Sequence, residues 1–207
     1  MDYSSDIAFT PTVKKIQVSK GSRRAYAHQE AAGAWETRIT PDLAAFIATQ
    51  TSVFLGSANA QGQPYIQHRG GPAGFLRVLD EKTIGFADFV GNRQFITMGN
   101  LADNPRAHLF LIDYSTRQRV KIWGTARVVE GDDALIANLM PANYSARADH
   151  AILFEVEAWD ANCPKHIPLR VDVAKIEELL AEKEARIAAL EAQLARLQHR
   201  EFPETKN

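Results

Sequence analysis

A single cysteine, Cys163, in 207 residues leaves no intrachain disulfide and no cysteine-based metal cluster. Its local sequence also supplies no base that would make it a nucleophile. The six histidines, at 28, 68, 108, 150, 166 and 199, lack the tight pairings expected of zinc ligands. No G-x-S-x-G elbow supports a serine hydrolase. No Walker A or G-x-G-x-x-G run is present, so a nucleotide would have to be held by side chains rather than by a glycine loop. Neither sign of charge dominates: Lys+Arg number 24 against 25 Asp+Glu, for a formal net charge of −1. Nucleic-acid binders usually concentrate positive charge, so no broad phosphate-tracking face is expected. No run approaches the ~18 apolar residues that span a bilayer. The opening MDYSSDIAFT lacks the basic start and apolar core of a signal peptide. The expectation is a soluble cytoplasmic protein with no nucleic-acid or membrane partner.

What remains can build a core: 45% of residues are hydrophobic and 24% charged. The length suits one domain with appendages. Residues 1–39 have little apolar periodicity and read as a loose arm followed by a short helix from Arg24 to Trp35. In TPDLAAFIATQ, Thr40 can cap a helix and Pro41 fits its first turn, with Leu43, Phe46 and Ile47 on one face.

From Ser52 the period falls to two. SVFLGSAN and PYIQHRG flank the turn AQGQ and predict a hairpin. GFLRVLD with KTIGFADF, and RAHLFLIDY with RVKIWGTARVVE, predict two more pairs, and HAILFEVEAWDA a later strand. RQFITMGNLADNP and DDALIANLM are helical. Strands with tight turns and short helices predict a mainly β, antiparallel barrel over residues 40–170.

Residues 171–200 differ. Val173, Leu180, Ile187 and Leu194 recur every seven residues, with Ile176, Leu190 and Leu197 at the second core position and Lys183 occupying that position once. In a parallel pair, Arg186 and Glu191 of opposite chains would attract. An isolated helix of this length is marginal in water, so a dimer contact is expected. The alternative is an amphipathic helix packed on its own barrel. Residues 201–207 form a short tail.

Polar groups concentrate in four stretches. In IQHRGG, Gln67, His68 and Arg69 end a strand, and Gly70 and Gly71 would let backbone approach a flat ligand. In FVGNRQ, Asn92, Arg93 and Gln94 lie where a strand gives way to a helix. There a guanidinium, side-chain amides and free helix N–H groups could meet a phosphate monoester. In RQRVKIWG, Arg119 and Lys121 share one strand face; if that face lined a cofactor groove, a cation there would favour an anionic reduced flavin. WDANCPKHIPLR, between the last strand and the tail helix, mixes Trp159, Asn162, Lys165, His166 and Arg170 in a stretch suited to a fixed loop over a site or to a plain linker. Each of the first three also has a plainer reading as surface turn, solvated arginine or solubility device.

The order of QHRGG, GFADFVGNRQ, NLADNPRAHLFLID and RQRVKIWGTARVVE resembles the pyridoxamine 5′-phosphate oxidase-like group of FMN-binding split barrels, from about Thr40 to Arg170. Asn92-Arg93-Gln94 stands where that family has Ser-Arg-Lys on the FMN phosphate. Arg119 and Lys121 stand on its flavin-side R-Q-V-R strand, Gln67 to Gly71 on its ring-lining strand, and Asp88 where a small polar residue touches the flavin. The resemblance implies an antiparallel split β-barrel, FMN as cofactor, and a homodimer with FMN at the subunit interface. Trp159, Asn162, Lys165, His166 and Arg170 would form a lid from the second subunit. Its implied activity is FMN-dependent oxidoreduction of an unknown small molecule, with NAD(P)H as candidate reductant. The chain has NCPKHIPLR in place of the substrate-gripping R-L-H-R stretch and lacks the V-L-L-K lysine, so it is similar to general stress-type relatives rather than to the vitamin enzyme. The alternative is a non-catalytic binding or sensing protein holding FMN or haem, with His68 or His166 as axial ligand.

Overall fold

A computed structural model describes residues 2–33, 35–162 and 164–201. Two compact units emerge: Met1–Asp113 with Arg117–His166, and Tyr114–Thr116 with Ile167–Asn207.

The first unit opens with helical structure. A short 3-10 turn, Ser4–Ile7, precedes α1 (Pro11–Ser19) and α2 (Arg23–Ala31). Thr10 caps α1 by accepting from the Val13 amide at 3.3 Å, and Pro11 fills its first turn. The loose arm expected here is therefore folded, and the helix expected from Arg24 to Trp35 stops at Ala31. Aromatic rings and charges hold the arm: Phe9 packs on Tyr26 and Trp35, and Trp35 stacks on Trp123 of the sheet. Glu30, 4% exposed, is paired by Arg23 and lies 3.7 Å from Lys14, which also holds Asp6 at 2.6 Å. A buried carboxylate needs such partners, and ionic ties of this kind leave no apolar periodicity to read.

α3 (Pro41–Thr49) begins as expected, with Thr40 Oγ1 accepting from Leu43 N at 3.3 Å. The strands follow: β1 (Ser52–Ala58), β2 (Pro64–Gly70), β3 (Arg77–Val78) and β4 (Thr83–Phe89). After α4 (Ile96–Asp103) come β5 (Arg106–Asp113), β6 (Gln118–Glu130), α5 (Asp133–Leu139) and β7 (Ala148–Asn162). They form one seven-stranded antiparallel sheet in the order β2-β1-β5-β6-β7-β4-β3. All three predicted hairpins pair, and the sheet does not close among the described residues. Alternation makes the core: Val53, Leu55, Leu109, Leu111, Ile122, Ile152 and Phe154 are buried on one face, together with Leu43 and Ile47 of α3. β6 and β7 shift register at Trp123/Gly124, where a β-carbon on Gly124 would collide with the Glu155 carbonyl oxygen. Only glycine fits this bulge.

His108 sits on β5 opposite Trp123 of β6, its ring edge-on to the indole with centroids 4.9 Å apart. Burial first, and the charge of Lys121 second, hold it neutral by lowering its pKa from the ordinary 6.5 to about 4.

The second unit is dominated by α6, Val173–Glu201, 29 residues long. Before it, the Arg170 guanidinium lies 4.3 Å from the Tyr114 ring centroid, and its amide donates to the Tyr114 carbonyl at 3.3 Å.

Candidate functional site

β2 and β4 deliver side chains to one cavity of about 200 Å³. Every second residue of β2 points the same way, so Tyr65, Gln67 and Arg69 enter together while Ile66 and His68 are not among its lining residues. The Tyr65 hydroxyl donates to Gln67 Oε1, fixing both. Asp88 near the end of β4 pairs in register with His150 of β7.

Asp88 and His150 are 7% and 8% exposed, and their contact is a 3.0 Å link between Asp88 Oδ2 and His150 Nε2. Arg69 closes on the same carboxylate: its Nη2 donates to Oδ2 at 3.0 Å, and its Nε lies 2.5 Å from Oδ1. Burying a carboxylate is costly unless it is paired and hydrogen-bonded, and here it has both a guanidinium and an imidazole. These three residues form the cavity floor.

The rim is built differently. Asn92 Oδ1 accepts from the Gln94 amide at 3.2 Å, tightening the turn after β4. Arg93 and Phe95 both adopt left-handed backbone, with φ of 58° and 55°. Such conformations cost non-glycine residues of order 1 kcal/mol each and concentrate at functional sites. The Arg93 guanidinium lies 5.7 Å from the Phe95 ring centroid and, among the described residues, has no carboxylate within ion-pair distance. Asp149, also on the cavity wall, is taken by Arg147 at 3.0 Å. α4 then starts at the wall, where Ile96, Thr97 and Met98 line the cavity and Phe95 offers no side-chain cap. A helix start without a side-chain cap has amides in need of acceptors, and its dipole favours an anion.

A second cavity, also about 200 Å³, adjoins the first through Gln67, Arg69, Phe89 and Gly91. His68 and Gly70 belong to it.

Of the residues singled out in the sequence, Gln67, Arg69, Asp88, Asn92, Arg93 and Gln94 meet in the first cavity, with His68 and Gly70 in the second. Several places differ from expectation. His68 Nε2 is engaged by the Ser52 hydroxyl at 2.8 Å, so it is not an open axial ligand. Gly71 lines neither cavity; a β-carbon there would lie 2.8 Å from Phe75 Cβ, so glycine serves internal packing rather than approach to a ligand. Arg119 and Lys121 also line neither cavity. Lys121 pairs with Asp160 at 3.5 Å and lies 5.4 Å from the Trp123 ring centroid.

The strand expected over HAILFEVEAWDA runs on to Asn162, extending β7 against Ile122–Arg119 of β6, so Trp159 and Asn162 belong to a strand and not to the loop also considered for them. Trp159 Nε1 donates to the Arg38 carbonyl at 2.9 Å, which anchors the indole to its own chain. Lys165 and His166 are exposed, His166 with φ of 66°, and Cys163 lies outside the described residues.

Tyr65, Thr97 and His150 are site residues that the sequence reading missed. The two-residue spacing of Tyr65, Gln67 and Arg69 carried a signal for the first. Nothing local marks His150, which meets Asp88 across 62 residues of chain.

The family model described as pyridoxamine 5′-phosphate oxidase matches residues 39–180. The chain belongs to that family, and its open antiparallel sheet is that family's split-barrel fold. No curated protein matches in sequence. Among solved structures, Group A Streptococcus HupZ is 18% identical with a TM-score of 0.49, covering 59% of this chain and 93% of its own. A putative pyridoxamine 5′-phosphate oxidase from Lactobacillus delbrueckii is 20% identical with a TM-score of 0.45, covering 60% and 95%. An FMN-binding protein from Syntrophomonas wolfei is 11% identical with a TM-score of 0.43, covering 73% and 95%. Among the described residues no helix is long and apolar enough to cross a membrane, and no cluster of His, Cys, Asp and Glu is arranged for a metal.

Proposed function

We propose that this chain is an FMN-binding flavoprotein, an FMN-dependent oxidoreductase acting on a small molecule, and that it works as a homodimer with the flavin site completed at the subunit interface. The observation that carries this is Arg93, held in left-handed backbone at the cavity lip, without an anionic partner among the described residues, beside the start of α4. Donors fit the phosphate end of FMN: a guanidinium for two oxygens, the Asn92 and Gln94 amides, and the first amides of the helix. Arg69 is occupied by Asp88, so it acts as a fixed part of the floor rather than as a second phosphate clamp.

The size of the site supports a shared one. Ligand cavities usually span about 300–1,000 Å³, and the two adjoining cavities here, each of about 200 Å³, together reach only the low end of that range. One chain has room for the phosphate-bearing end and the beginning of a ring system, and a second subunit would wall the rest. Bound FMN would supply hydride chemistry. The chain's own residues would anchor the phosphate through Arg93, set the polar floor through Asp88 and His150, and orient the ligand through Gln67 and Tyr65.

Titration of the purified protein with FMN, followed by flavin fluorescence, tests this. Saturable binding is expected, and Arg93→Ala should weaken it about 10- to 100-fold through loss of charge-assisted hydrogen bonds. Absence of binding by the unaltered protein, or unchanged affinity in the variant, would overturn the assignment.

A further inference from the structure

Among the described residues, a long run of exposed apolar side chains without a role in the cavity lies along α6. Val173, Ile176, Leu180, Ile187, Leu190, Leu194 and Leu197 recur at alternating spacings of three and four, interrupted only by Lys183. Their side chains are between 44% and 66% exposed. The stripe runs for roughly 36 Å at the usual helical rise. A seven-residue repeat held over this length specifies a left-handed two-helix seam rather than attachment to a flat surface.

We infer that α6 pairs with the α6 of a second copy of this chain, parallel and in register. Charge decides the direction. The positions following the second core residue of each heptad are Glu177, Glu184 and Glu191, while Leu179, Arg186 and Gln193 precede the first core residues. An antiparallel pair sets each of these flanks against itself, bringing glutamate against glutamate and Arg186 against Arg186. A parallel pair sets one flank against the other and places Arg186 of each chain beside Glu191 of its mate, a favourable contact at both edges.

Lys183 decides the register. It is 64% exposed in side chain and lies 4.0 Å from Glu182. With the helices in register, the two Lys183 side chains share a single polar layer, and their ammonium groups can extend past the seam toward Glu182 and Glu184. A slip of one heptad would set each lysine against an apolar layer, Ile176 or Leu190. It would break two layers instead of one and leave a heptad unpaired at each end. A lone polar residue in the seam thus selects alignment at some cost in strength. This inference stands apart from the flavin assignment: loss of tail pairing leaves the barrel-borne FMN site and its titration in place, and failure to bind FMN leaves tail pairing intact.

The test uses the full-length chain carrying Cys163→Ser, so that an introduced thiol is the only one. Mass alone would not separate pairing through the tail from pairing through the barrel, so the readout is a cross-link. Leu190→Cys and, separately, Leu180→Cys should each oxidise to a covalent dimer in high yield, while Ala189→Cys, off the seam, should give at least fivefold less. Failure of both seam positions to cross-link, or equal yield at position 189, would overturn the proposal. A second measurement follows the same cross-link: in the Leu190→Cys chain, Arg186→Glu should lower its yield at least fivefold unless Glu191→Arg accompanies it. An unchanged yield with Arg186→Glu, or no rescue in the double variant, would also overturn it.

Discussion

The floor and the rim of the cavity lie within a few residues of each other in β4 and the turn after it, yet they are built to opposite ends. On the floor, Asp88 is fully engaged: Arg69 and His150 occupy both of its oxygens, and all three come from strands locked in the sheet. On the rim, Arg93 is exposed, held in left-handed backbone, and has no anionic partner among the described residues. The floor's charges are paired internally, with the buried Arg69 Nε in ionic contact with Asp88 but without a hydrogen-bond partner among the described residues, and this pairing makes the floor already shaped. The rim's are left open, which is the condition for taking charge from a ligand. A group that stabilises the fold and a group that awaits a ligand can thus be told apart by their partners, even where both are cations.

The contrast can be broken most severely at Asp88. Asp88→Asn leaves the Arg69 guanidinium, its side chain 19% exposed, without its counter-charge, and breaking a largely buried pair from one side costs up to about 3–5 kcal/mol. Urea unfolding should register that loss, and a change below about 1 kcal/mol would mean that the floor is not a tied ionic unit.

A pH effect of intermediate size comes from outside both regions and has to be separated from them. His108 is buried neutral with its pKa depressed from 6.5 to about 4. The folded state therefore binds fewer protons than the unfolded chain between those values. Its contribution is fully present above pH 6.5 and is lost as the pH falls from about 6.5 to 4. With partial exposure of the ring, the loss is on the order of 1–2 kcal/mol. Thermal melts of His108→Gln should lack this part of the acid slope, while the Asp88→Asn deficit persists at neutral pH.

His150→Gln keeps an amide donor for Asp88 and should cost only about 0.5–1.5 kcal/mol, the range of a single hydrogen bond. A larger loss would place His150 beside Asp88 as a principal tie of the floor. The smallest stability change belongs to the rim. Arg93→Ala should stay within about 0.5 kcal/mol in unfolding, as exposed substitutions do, while FMN affinity falls as proposed above. A marked drop in stability would instead make Arg93 a structural residue and erase the distinction.

The strands were legible because a half-buried sheet writes its faces with a period of two. SVFLGSA and RAHLFLID alternate as β1 and β5 bury them, and the AQGQ turn joins β1 to β2 as its residues suggested. α3 announced itself through Thr40 and Pro41, because a cap and a first-turn proline are local chemistry. The folding of the first helices escaped notice because Glu30, Arg23, Lys14 and Asp6 hold them with charges. HAILFEVEAWDA was legible as a strand through Ala161, whereas the overlapping reading of WDANCPKHIPLR as a loop or linker gave no weight to the pairing of Trp159–Asn162 with β6.

By itself the sequence determined the alternation that makes a sheet, the helix caps, the heptads of α6 and the placing of Asn92, Arg93 and Gln94 between a strand and a helix. These are properties of neighbours a few residues apart, and short-range geometry is enough to express them. Tertiary structure alone decided that Asp88 meets His150, that Arg69 is spent on their carboxylate, that Gly124 must remain glycine, and that Lys121 turns toward Asp160 and away from the cavity. Each of those outcomes depends on which strands lie side by side. Strand order is set by the burial of the whole apolar face at once, not by any segment of it.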